Sequence, residues 1–178
     1  MQSVESVESM FTSHTLETAP AASRKAMEGV VRHFGHLPDA VTRLAESPEL
    51  LTGFLGLSAS FERSTLEPLA RETVVMTVAV RNDCHVCVDI HTAKLRALGA
   101  EQELIAALCD RLPLPDERLE AVRRFTLEVL AAAGGVDDGV LKDFLSYGFT
   151  ERNALEVVLG IGAYTMSTFA NRLVRAQV

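Results

Sequence analysis

The stretch Arg81-Asn-Asp-Cys84-His-Val-Cys87-Val-Asp-Ile-His91 holds the densest set of reactive side chains in the chain. Two cysteines stand three apart, and a histidine follows four residues after the second. Thiols at that spacing on a helix face the same way and come close enough to pair. His91 falls one turn beyond Cys87 on the same face. Asn82 and Asp83 are residue types that cap helix N-termini, and Gly99 is a natural C-terminal stop, so a helix is predicted between them. The thiols then occupy its first turn, where unpaired N–H groups favour thiolate and lower the pKa of at least one cysteine. Asp83 opposes this unless its carboxylate is turned towards the cap.

A thiol needs a base, and Glu72 offers a way to orient one. It lies 12 residues before Cys84, about 18 Å along one straight helix. If the chain instead turns back about residue 82 as an antiparallel hairpin, position 72 falls opposite position 92 and Glu72 comes beside His91. The pattern is then Glu72–His91–Cys87, with the carboxylate orienting the imidazole and the imidazole deprotonating the thiol. The competing reading makes Glu72 a solvated charge paired with Arg71 or Lys94.

The elements that must hold these groups read as helices throughout. Helices are expected over 21–34, ending at Gly35, over 38–46, and from Pro48 to about Phe61. The next runs from 66 to about 80 with Thr65 as its cap, and further ones cover 101–110 and the amphipathic stretch from Asp116 to Gly134-Gly135. Two more are expected over 138–147 and, capped by Thr150, from Glu151 to about Arg175. The run Val74-Val-Met-Thr-Val-Ala-Val80 suits a buried strand by propensity alone, but its flanks have helical spacing and caps. Gly160 and Gly162 inside the last helix cost roughly 1 kcal/mol each relative to Ala, which points to close helix contact, within the chain or between subunits. Residues 1–18 read as a loose arm and 19–178 as one all-α domain.

Composition narrows the partners. The chain has 178 residues, and Lys+Arg 17 against Asp+Glu 24 gives a net charge of −7. With no basic patch, nucleic acid and anionic membrane are not expected partners. No apolar run reaches a membrane span, and Met-Gln-Ser-Val-Glu-Ser-Val-Glu lacks a signal peptide's basic and apolar regions, so a cytoplasmic protein is expected. Three cysteines are no disulfide framework there, and a C-x-x-C reads as redox or metal. Zinc is disfavoured, because helix spacing crowds Cys84, Cys87 and His91 and no fourth ligand is evident. Cys109 is expected in the core, and His14, His33 and His36 on the surface or at caps. No flavin, nicotinamide or phosphate-loop fingerprint is present, so no cofactor and no metal are expected. Hydrophobic residues make up 48%, and several short helices carry them on more than one side, which predicts a homo-oligomer.

Leu66-Glu-Pro-Leu-Ala-Arg-Glu72, an apolar helix, Asn82-Asp-Cys84-x-x-Cys87-x-x-x-His91 and a helix ending Leu98-Gly99 together resemble the alkylhydroperoxidase D/carboxymuconolactone decarboxylase family. Looser similarity runs through the last helix, including Asn171-Arg172-Leu173. The resemblance implies an all-helical bundle, trimeric or hexameric assembly, and thiol-dependent reduction of a hydroperoxide. A dithiol protein or small thiol would act as reductant. It gives Glu72, Cys84, Cys87 and His91 the roles of proton relay and redox pair. The chain departs where the alkylhydroperoxidase D motif has a histidine directly before the second cysteine. Val86 stands there, and a histidine follows the first cysteine as His85. Two alternatives remain: a decarboxylase or lactone-processing enzyme using Glu72 and His91 without the cysteines, and a non-enzymatic redox sensor with the C-x-x-C as switch. The order of attack is also open, since the helix start favours Cys84 as thiolate and His91 favours Cys87.

Overall fold

A computed structural model describes residues 9–177; of the expected N-terminal arm, residues 1–8 lie outside the described residues. The described residues are all-α and contain no strand. The helices are α1 (Ala21–Phe34), α2 (Asp39–Leu44), α3 (Pro48–Glu62), α4 (Pro68–Arg81), α5 (His85–Ala97), α6 (Gln102–Cys109), α7 (Glu117–Ala131), α8 (Asp138–Ser146) and α9 (Glu151–Leu173).

The chain forms two compact units, one of Met1–Gly53 with Ala170–Val178 and one of Phe54–Phe169. In the first, α1 closes at Gly35, whose φ of 78° is the left-handed conformation that glycine adopts without strain. Ser23 Oγ donates to the Ala45 carbonyl, and Arg43 reaches the Phe11 carbonyl and Asp39. Ser9 Oγ donates to the Val174 carbonyl. His14, read from the sequence as a surface or capping residue with no carboxylate pattern around it, binds Glu46 through Nε2 at 2.7 Å. The partner is 32 residues away along the chain, beyond the reach of a local pattern.

The second unit carries the candidate site residues Glu72, Cys84, Cys87 and His91. Its α4 is buried at every position from Glu72 to Val80, which explains the near-continuous apolar run: a helix surrounded by others is apolar all round. One side joins Phe61, Val122, Phe125, Phe144, Phe149, Val157 and Tyr164 in the main core. The other, through Met76 and Val80, packs with Leu95, Leu104, Ile105 and Leu108. Gly160 of α9 is the close contact expected of it, since a Cβ there would lie 2.6 Å from the Phe61 ring and 3.0 Å from Val74. Gly162 is exposed and has open space around it, so it makes no such contact within this chain.

Two helix starts differ from those expected. The α4 helix begins at Pro68 after Glu67, proline taking the first-turn position that needs no N–H donor. Thr65 instead gives its N–H and Oγ1–H to the Glu156 carboxylate at 2.9 and 2.8 Å, which ties the chain before α4 to α9. Asn82 and Asp83 do not cap α5; Asn82 ends α4, and Asp83 takes a left-handed φ of 51° that turns the chain back. Cys84 is therefore the first extended residue and the N-cap of α5. Thr150 does cap α9, by a reciprocal pair of bonds with Asn153.

Candidate active site

The hairpin of α4 and α5 builds the site. Asn82 donates to Thr168 Oγ1 of α9 at 2.9 Å, anchoring the turn from behind. Arg111 binds the turn from the other side, to the Val80 carbonyl at 2.7 Å and to Asp83 Oδ1 at 2.6 Å. The Asp83 carboxylate is thus paired with a cation instead of with the helix cap.

At the start of α5 the Sγ atoms of Cys84 and Cys87 lie 2.8 Å apart as a dithiol, 2% and 3% exposed. His91 stands one turn further along the same face of α5. Its Nδ1 is 2.7 Å from Glu72 Oε2. Glu72 is 1% exposed, which removes the reading of it as a solvated charge. The predicted opposition of positions 72 and 92 is met within a residue. Lys94, one turn further, binds Glu72 Oε1 at 2.8 Å and also binds Glu62 at the end of α3. The sequence offered Lys94 as an alternative to the His91 contact; Glu72 makes both, one with each oxygen.

Electrostatics follow from those contacts. Burial pushes the Glu72 carboxyl up, but the bonds and charges of His91 and Lys94 outweigh it and hold the group below the ordinary carboxylate range. Burial pulls the Lys94 ammonium down, and Glu62 and Glu72 outweigh that and hold it above the ordinary lysine range. A buried carboxylate thus stays ionised and acceptor-only, so His91 Nδ1 donates the shared hydrogen bond.

Sequence reasoning missed the aromatic wall. Tyr164 of α9, 3% exposed, sets its ring edge to face with His91, centroids 5.2 Å apart. Its hydroxyl lies 3.3 Å from Ser58 Oγ of α3, and burial pushes the phenol up. No local spacing signals a residue brought from so far along the chain. Cys109 is only half-buried, not the core residue expected, because it ends α6 at the edge of the second cluster, 3.9 Å from Thr92 Oγ1. Among the described residues, no group of three or more His, Cys, Asp and Glu side chains is placed to hold a metal ion, and no helix is long and apolar enough to cross a membrane.

Residues 45–112 match the model of the carboxymuconolactone decarboxylase family. A comparison with curated proteins finds no match. Among solved structures, the alkylhydroperoxidase AhpD core protein of Ralstonia eutropha JMP134, an uncharacterized peroxidase-related protein, superposes with a TM-score of 0.84 at 21% identity over 95% of this chain and 91% of that one. A peroxidase-related protein from Silicibacter sp. TM1040 gives 0.78 at 21% identity over 97% and 94%. The debrominase Bmp8, in a cysteine-to-alanine variant bound to 2,3,4-tribromopyrrole, gives 0.77 at 15% identity over 97% and 92%. The matched segment contains Glu72, Cys84, Cys87, His91 and Lys94, and the shared fold extends over nearly the whole chain. The chain is thus similar to the carboxymuconolactone decarboxylase family over residues 45–112 and shares the fold of the alkylhydroperoxidase AhpD core structure.

Proposed function

We propose that the protein is a thiol-dependent hydroperoxide reductase that works through Cys84 and Cys87 with Glu72 and His91 as proton relay. The observation that supports it is the pair of thiols 2.8 Å apart at a helix start, one turn from an imidazole whose other nitrogen is bound by a buried carboxylate. In the cycle, His91 Nε2 takes the Cys87 proton. The thiolate attacks the terminal peroxide oxygen, the O–O bond breaks, and His91 returns the proton to the departing alkoxide or hydroxide. Cys87 is then a sulfenic acid. Cys84 sulfur attacks it, the S–S bond forms and water leaves. The peroxide has gained two electrons and the dithiol has lost them. A dithiol partner or small thiol restores the pair by exchange, which suits a reducing, cytoplasmic compartment.

The reading includes a homo-oligomer, a trimer or a hexamer. It is supported by Leu155 and Val158, which stand 71% and 47% exposed on α9. A monomeric mass by light scattering at micromolar concentration would remove that part. The family match favours a second reading, decarboxylase-like acid–base chemistry by Glu72 and His91 alone. Thiol titration separates the two. Reduced protein should lose two titratable thiols on stoichiometric peroxide and regain them with dithiothreitol. If Cys84→Ser and Cys87→Ser consume peroxide as fast as the parent, the thiol reading is wrong and the acid–base reading gains.

A further inference from the structure

Lys94 stands in a four-charge cluster of which the cycle above uses only Glu72. Its ammonium binds Glu72 Oε1 at 2.8 Å, the oxygen His91 leaves open, and it reaches Glu62 of α3 with another N–H. Arg71 of α4 lies 3.7 Å from the second Glu62 oxygen. Two carboxylates therefore face two cations. Tyr164 of α9 packs against His91, and Cys87 stands one turn before it on α5.

We propose that Lys94 is a positioning residue that fixes the His91 tautomer through Glu72, holding the imidazole as Nδ1–H with Nε2 available to the thiol. The inference rests on the thiol–relay reading for its purpose and on the cluster for its mechanism. A carboxylate has four lone-pair sites and can rotate. With one oxygen held by an ammonium, the other is aimed at Nδ1 and its charge is retained despite burial. Without the ammonium, a carboxylate that is 1% exposed keeps its neutral-imidazole partner only at the full cost of burial. It has two escapes. It can take a proton and donate to Nδ1, which moves the imidazole proton to Nε2. Or it can draw a proton onto the imidazole, leaving imidazolium. Both remove the Nε2 lone pair.

The test is the nitrogen-15 spectrum of the His91 imidazole in the reduced protein at neutral pH, where the two tautomers and the imidazolium have distinct shifts. The parent should show the Nδ1–H form. Lys94→Met should lose it to one of the two other forms, and Lys94→Arg, which keeps the charge, should retain it. The rate of thiol loss on peroxide should fall about tenfold or more in Lys94→Met and recover in Lys94→Arg. Should Lys94→Met fail to fold, Lys94→Gln, shorter but still polar and a donor, also removes the charge and should show the same loss. An unchanged Nδ1–H signature in the uncharged variant overturns the inference. A parent protein that consumes no peroxide yet shows these spectral changes overturns the peroxidase reading and leaves the role of Lys94 standing.

Discussion

Glu72 and His91 meet at 2.7 Å across the α4–α5 hairpin, carboxylate oxygen to Nδ1, with the carboxylate wholly inside the protein. Such a pair acts as one unit. Glu72→Gln and His91→Ala should each slow peroxide-driven disulfide formation by about 10²–10⁴ at neutral pH, with partial recovery at high pH where hydroxide makes thiolate. The double variant should be little worse than either single one. Stopped-flow thiol loss measures all three. Strictly additive losses, or an unaffected Glu72→Gln, would show that the pair is structural.

The same carboxylate makes stability depend on acid. Its folded pKa lies below the ordinary value, which is about 4.3 in an unfolded chain. The sign is therefore that of a depressed acid: its contribution is complete above the unfolded value and is lost as pH falls through the folded one. Glu156, pushed up by burial and held down more strongly by Thr65, Asn153 and Arg152, adds in the same direction. Thermal midpoints taken between roughly pH 6 and pH 3 should fall, and more steeply in the parent than in Glu72→Gln. Parallel curves would exclude Glu72 as a source of the acid limb.

Gly160→Ala should destabilise the fold. Alanine gains about 1 kcal/mol in helix propensity, but its Cβ would meet the Phe61 ring at 2.6 Å. Phe61 is completely buried and its ring packs edge-on against Tyr164, so it has little room to withdraw. Overpacking of this kind costs about 1–3 kcal/mol, leaving a net loss on the order of 1 kcal/mol. Urea denaturation reads it directly; a midpoint equal to or above the parent's would mean that the ring moves freely.

The helices were legible because their punctuation is local. Gly35, Gly99 and Gly148 close helices with left-handed φ values, and Asp116 caps α7 by accepting from the Leu119 N–H. The hairpin was legible too, because a fold-back near residue 82 leaves few places for Glu72 to go. What escaped was non-local or conformational. Asp83 looked like a cap by residue type, yet the reversal requires a left-handed residue there and passes the cap to Cys84. Tyr164 meets Ser58 across 106 residues, and no spacing rule spans that distance. Thr65 looked like a helix start because its true partner, Glu156, is 91 residues away.

Glu72 and His91 are separated by only 19 residues, with both cysteines between them, whereas the ring over the imidazole arrives from the far end of the unit. The reactive groups are thus a local property of one hairpin, and their shelter is a global one. Damage divides along that line. A broken Asp83 turn scrambles the alignment of thiol and base while α9 still covers the imidazole. A loosened α9 wets the imidazole, trading a low-dielectric pocket for bulk water, and reaches the alignment only through the Asn82–Thr168 bond.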